Sequence, residues 1–365
     1  MKNILKQYAK TFLQKTLLPL SYNLAKKKKI DEKLCILADS NCDKTPESME
    51  LIKAELTEQG YTVREMYADF SQIGILSMMK YMTDFMRAYA NCRAVFVCNY
   101  FVPCTACKKR SETTVVQLWH SCGALKKFGY DSEEDISSHF KGSVTRNMDI
   151  ITVSSPECVQ YFNSAFRLSE GIVKPLGVSR TDVFFQEGFE QQCRNDFFQK
   201  YPQYKGKKII LYAPTFRGNA SECYCVGEQY AAELEKKLGD DYKVIIKMHP
   251  RLKSSLTNCD IPTNRLFAAA DLLITDYSSL VFEYALFKKP IVLFVPDLEE
   301  YKRGFYLDYE NDMPGIIIKD GNELAEGVLR AFKSYYSGGC DSFLKKYMSS
   351  CDGNATKRIC RQALK

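Results

Sequence analysis

LLITDYSSLVFEYALFKKPIVLF, residues 272–294, is the stretch on which the fold turns. An apolar run ends in a polar knot, Thr275-Asp276-Tyr277-Ser278-Ser279. A helically spaced segment follows, and a second apolar run begins after Pro290. Strand, helix and strand in so short a span form a βαβ unit, whose strands run parallel.

The knot admits two readings. Ser278 or Ser279 can cap the helix, a role that needs no ligand. A capping box would place an acid or amide three residues past the cap. Those positions hold Val281 and Phe282, and Glu283 falls one later. The alternative is an anion site, because free backbone amides and the helix dipole favour negative charge. Glu283, spared from capping, is then a candidate for reading a ligand's hydroxyls.

The same alternation extends outward on both sides. Strands are expected at 33–39, 61–67, 93–101, 115–120, 149–155 and 171–177. A second series lies at 207–216, 242–250, 271–277, 289–296 and 315–320, with helices between and a helical stretch over 322–365. This predicts an α/β protein with two doubly wound parallel sheets, one over 30–180 and one over 181–350, followed by a C-terminal tail or helix at 351–365. The length of 365 residues agrees with two domains. Ligands of such sheets bind beyond the carboxyl ends of the strands. The polar residues there are therefore the candidates: His120, Arg180, Asp182, Arg217, His249, Asp276, Ser278 and Ser279.

Each candidate has a plain structural reading beside the functional one. His120, next to Trp119, is either a general base working near neutral pH or a satisfied histidine under a packed ring. Lys126 and Lys127 follow as charge for an anionic substrate. Arg217 and His249 suit a diphosphate, arginine as a planar fork, and Arg303 is a further cation. No GxGxxG or P-loop pattern is present, which disfavours the common dinucleotide and NTP sites.

Charge is uneven. The net charge is +7, but residues 1–29 carry eight lysines and no acid, leaving 43 basic against 44 acidic residues beyond them. A nucleic-acid-binding body is thereby disfavoured. The segment 1–29 puts Ile4, Leu5, Tyr8, Phe12 and Leu13 on one helical face, and Pro19 is expected to kink or end that helix. It reads as a basic amphipathic helix lying on an anionic membrane surface, at the cytoplasmic side. Fifteen cysteines without a framework of spacings read as reduced thiols, and Cys104 and Cys107 stand alone as a CxxC pair.

Together QLWHSCGALKKFG, KPLGVSRTDVFF, ILYAPTFR, IIKMHP, ADLLITDYSSLVFEYALFKKPIVLF and LEEYKRGFYLDYENDMPG resemble the CDP-glycerol glycerophosphotransferase family of teichoic-acid and capsule synthesis. The resemblance implies a GT-B architecture, two Rossmann-like domains facing across a cleft, with peripheral attachment to the membrane. It implies CDP-glycerol as donor, a lipid-linked or glycerol-phosphate acceptor, and CMP as product. His120 matches the family's proposed base. Arg217, His249, Ser278 and Ser279 match contacts to the donor diphosphate, and Glu283 matches an acid near its polyol or ribose. Arg180, Asp182, Asp276 and Arg303 match motif positions. Many members read WHG where this chain has Trp119-His120-Ser121-Cys122-Gly123, a form resembling a branch of capsule and wall-polymer enzymes. No DxD pair is evident, so fixed cations are expected in place of a metal, and no cofactor is expected. CDP-ribitol, a nucleotide sugar and a non-catalytic membrane scaffold are the competing expectations.

Overall fold

The structure is a computed structural model that describes residues 2–218, 223–248, 257–335 and 338–365. The chain divides into two compact units. The first holds Met1–Ser121, Lys127–Asp182 and Ser349–Lys365, and the second holds Cys122–Lys126 and Val183–Met348.

The first unit is built on β1 (Asp31–Asp39), β2 (Thr62–Tyr67), β3 (Cys92–Val97), β4 (Thr114–Gln117), β5 (Ile150–Thr152) and β6 (Val173–Lys174). They pair in parallel in the order β2-β1-β3-β4-β5-β6. The second unit has β7 (Lys208–Tyr212), a short antiparallel pair β8 (Arg217–Gly218) and β9 (Cys223–Tyr224), β10 (Tyr242–Ile246), β11 (Leu272–Thr275), β12 (Ile291–Phe294) and β13 (Ile316–Ile318). Its parallel sheet runs β10-β7-β11-β12-β13. In both sheets the order reverses beside the first strand, so each has a switch point, between β1 and β3 and between β7 and β11. Every expected strand is present; β1 begins two residues before its expected run, and the others are shorter than expected. The β8–β9 pair was not anticipated.

The last segment, expected as a C-terminal tail or helix, forms the helix Ala355–Ala363, whose Ala355, Ile359, Cys360 and Ala363 join Leu37, Ile52, Phe96 and Val116 in the first unit's core. The helix Ala355–Ala363 presents one apolar face, which must be buried. The other end behaves likewise. The N-terminal helix does not stop at Pro19. It runs as Lys2–Phe12, a π-turn Leu13–Leu17 and Leu18–Ala25. Pro19 lacks an N–H and clashes with the carbonyl four residues back. Here that carbonyl belongs to Lys15, inside the π-turn, where the bonding is already irregular. Leu18 and Tyr22 are fully buried, and Gln14 bonds to the Ser143 carbonyl, so residues 13–25 are integral to the first unit. Tyr8, Phe12, Leu17, Leu20 and Leu24 remain exposed. The five-residue step from Phe12 to Leu17 spans the wide π-turn, which returns Leu17 to the side of Phe12 and keeps the apolar stripe continuous. No described helix is long and apolar enough to cross a membrane.

Candidate active site

At the first switch point Asp39 ends β1. Its carboxylate is almost fully buried and accepts hydrogen bonds from Asn99 Nδ2 at 2.8 Å, the Cys98 thiol at 3.1 Å and the Asn41 amide at 2.7 Å. Burying a carboxylate is costly unless its lone pairs are met, and this one has three donors.

Trp119 and His120 follow β4. Trp119 has φ 60°, a left-handed conformation that a bulky residue adopts only where its surroundings impose it. The imposition is an aromatic box of Tyr100, Phe128, Phe162 and Phe166, with ring centroids 5.2–5.9 Å away. That turn projects His120, which is exposed, with its ring 4.4 Å from the indole. The dense protein behind the ring, and then the Arg180 guanidinium, lower its pKa below the ordinary value of 6.5. A hydrogen bond to the Cys98 backbone and the charges of Asp135 and Asp39 oppose that shift without reversing it. The neutral imidazole therefore prevails at pH 7 and can take up a proton. Asp182 has a structural task. Its two oxygens accept from the amides of Ala355 and Thr356 at 3.1 and 2.7 Å, capping the last helix from a distant part of the chain.

At the second switch point Asp276 ends β11 and is buried. It accepts from the Thr215 amide at 2.8 Å, the Thr215 hydroxyl at 3.0 Å and Arg217 Nη1 at 2.9 Å. Arg217 also forks onto Asp297, at 2.7 and 3.0 Å, and its guanidinium lies over the Tyr277 ring at 4.6 Å and the Tyr301 ring at 5.5 Å. Burial works against the arginine's charge, and two carboxylates more than restore it. Burial raises Asp276, Arg217 notwithstanding; at Asp297 the arginine outweighs burial and holds the group below the usual carboxylate range. Arg217 is thus a strut between two strand-end loops. Its donors are mostly committed inside the protein, rather than spread toward a ligand as its position in the sequence suggested.

Ser278 Oγ accepts from the Leu280 amide at 3.3 Å, and Ser279 is the N-cap residue of the helix Leu280–Ala285 without a side-chain capping bond. That helix has only six residues, shorter than the expected segment, so its dipole adds little. Glu283 is buried and accepts from the Cys122 thiol at 3.4 Å. Lys126 belongs to this unit, and its amine is depressed to about 8 by burial, with Arg303 and Arg217 also lowering it and Asp276 opposing them. Arg303 is half-buried. His249 lies outside the described residues. So the second unit gathers Arg217, Asp276, Ser278, Ser279, Glu283, Arg303 and Lys126, and the first holds His120 and Arg180.

Three participants escaped the sequence reading: Asp39, Asp297 and Tyr277 as a ring under Arg217. The acids sit at strand ends, the one signal that could have flagged them. Among the described residues no group of three His, Cys, Asp or Glu side chains is arranged to hold a metal. Cys104 and Cys107 are buried free thiols that burial pushes upward, Cys107 to about 12. Such thiols are poor ligands and nucleophiles.

Comparison with known proteins matches residues 20–365 to the family described as CDP-Glycerol:Poly(glycerophosphate) glycerophosphotransferase. The teichoic acid ribitol-phosphate primase of Bacillus spizizenii is 35% identical over 298 residues, covering 74% of each chain. The teichoic acid glycerol-phosphate primase of Bacillus subtilis is 30% identical over 289 residues, covering 74% of this chain and 72% of that one. The solved structure of the wall teichoic acid polymerase TagF superposes with a TM-score of 0.76 at 21% identity, covering 100% of this chain and 97% of that one, which shows the fold.

Proposed function

This chain belongs to the CDP-glycerol:poly(glycerophosphate) glycerophosphotransferase family, and on that premise we propose that it transfers glycerol phosphate from CDP-glycerol to a hydroxyl of a membrane-associated acceptor in wall-polymer synthesis. The observation that carries the reading is His120: exposed at a strand end, imposed there by a strained tryptophan, and biased toward its neutral form. In the reaction the acceptor hydroxyl gives its proton to His120 as its oxygen attacks the β-phosphorus. The new O–P bond forms as the bond to the CMP oxygen breaks. CMP leaves with the bonding electrons.

Charge on the diphosphate is met by Lys126, Arg303 and His249, with Ser278 and Ser279 donating hydroxyls. Arg217 and Asp276 shape the floor on which these groups stand. In this reading the first unit takes the acceptor and the second the donor. Fixed cations take the place of a metal; loss of purified activity in EDTA would overturn that point. The exposed stripe of Tyr8, Phe12, Leu17, Leu20 and Leu24 rests on the cytoplasmic leaflet, where a lipid-linked acceptor is reached.

Ribitol phosphate is the second reading, favoured by the 35% identity to a ribitol-phosphate primase against 30% to a glycerol-phosphate primase. Incubation with CDP-glycerol, CDP-ribitol and UDP-sugars, following CMP or UDP release with a lipid-linked acceptor, decides between them. Release from a UDP-sugar alone would refute both.

A further inference from the structure

The residues just after His120 do not stay with it. Ser121 belongs to the first unit, Cys122–Lys126 to the second, and the chain returns to the first at Lys127. This short strap is fastened along its length. The Cys122 thiol donates to Glu283 Oε1, the Tyr306 amide donates to the Leu125 carbonyl at 3.0 Å, and Lys126 forms an antiparallel bridge with Phe305. Gly123 fits between them for two reasons. Its φ is +63°, and a Cβ there would stand 2.2 Å from the buried Phe282 ring. On the other side of His120, Trp119 is strained and boxed by aromatic rings. His120 and Ser121 are the two residues of the chain that join Trp119 to Cys122.

We propose that the strap is a positioning device for His120, in which Glu283 acts through Cys122 and Gly123 to set the imidazole's orientation from the donor-binding unit. The inference rests on the reading of His120 as the base. Glu283 lies on the short helix that directly follows Ser278 and Ser279. A diphosphate engaging those serines shifts or stiffens that helix, and the strap carries the change to His120. Donor occupancy and base alignment are coupled in this way without Glu283 touching the donor. A buried carboxylate bonded to a buried thiol suits such a task better than reading polyol hydroxyls.

The test measures kcat and donor KM by CMP release, CDP affinity by calorimetry, and the melting temperature of purified full-length protein. The variants are Cys122→Ala, Cys122→Ser, Glu283→Gln and His120→Ala. Expected are at least tenfold losses of kcat in C122A and E283Q, with CDP affinity within twofold of wild type. C122S should regain most of the loss, since a hydroxyl still donates to Glu283. Wild-type kcat in C122A and E283Q beside an inactive H120A overturns the strap. So does a parallel loss of CDP affinity, which would make Glu283 a donor contact, and so does a C122S no better than C122A. A fully active H120A refutes the base assignment instead. Should E283Q fail to fold, the two Cys122 variants decide the matter.

Discussion

Asp276 accepts both the amide and the hydroxyl of Thr215, at 2.8 and 3.0 Å, across the point where the second sheet reverses its strand order. The first sheet repeats the device at its own switch point, where Asp39 accepts from Asn99. In each unit a buried strand-end acid ties together the two loops that a ligand must approach. The second acid also has a buried cation, Arg217, and that cation bridges to a third loop through Asp297.

Removing that cation leaves the buried carboxylate of Asp276 and the half-buried one of Asp297 without their ion-pair partner. Breaking such a pair from one side costs about 3–5 kcal/mol. Arg217→Ala should therefore lower the stability of the protein by about that amount in urea unfolding. Arg217→Lys should recover little, because an ammonium cannot fork onto Asp297 while reaching Asp276. A loss under about 1 kcal/mol, with donor KM raised instead, would return Arg217 to direct diphosphate binding.

The pH profile of kcat/KM follows from two depressed groups. With His120 as the proposed neutral base, its pKa lowered below 6.5, activity should hold at pH 7 and fall only at a more acidic pH. Lys126 works protonated, and its amine is depressed to about 8, so activity should fall again above about pH 8. Both signs agree with burial disfavouring the charged form of a base. Lys126→Arg should move the alkaline limb up, since a guanidinium does not deprotonate in that range. A profile unchanged by K126R would remove Lys126 from the donor site.

How far the sequence carried can be seen residue by residue. The strands and their carboxyl ends were legible because apolar runs bounded by turns have a local signature. His120, Arg217 and Asp276 were found that way. What these groups touch was not legible. Asp297 meets Arg217 from 80 positions along the chain, and no spacing encodes that pairing. The helix Ala355–Ala363 shows an apolar face but not which sheet covers it. Glu283 was singled out because it misses a capping box. Its thiol partner, Cys122, lies 161 positions earlier and came into view only with the fold.

Asp182 gives a prediction that separates structure from chemistry. Its carboxylate caps the helix Ala355–Ala363 and thereby fastens the chain's last segment to the first unit. Loss of a cap typically costs about 1 kcal/mol, up to about 2. Asp182→Ala should lower the melting temperature by several degrees while leaving donor KM unchanged. A raised KM at unaltered stability would give Asp182 a substrate instead.

The proposed membrane-facing stripe calls for a test that spares the fold. Deleting residues 2–29 would also remove Leu18 and Tyr22 from the first unit's core, so loss of binding would be confounded with unfolding. Leu20 and Leu24 are better targets, at 60% and 64% exposure. Neither supports the core, and each inserted leucine contributes about 1.5–3 kcal/mol of transfer free energy. The double variant Leu20→Glu with Leu24→Glu loses both contributions and adds repulsion from an anionic surface. It should keep the wild-type melting temperature and soluble-acceptor activity, and move from the floating to the soluble fraction with vesicles rich in anionic lipid. Raising the salt concentration should weaken wild-type binding, through the lysines at 26–29, without abolishing it, because the apolar part is not screened. Flotation unaffected by the double substitution would place the membrane-facing surface elsewhere on the protein.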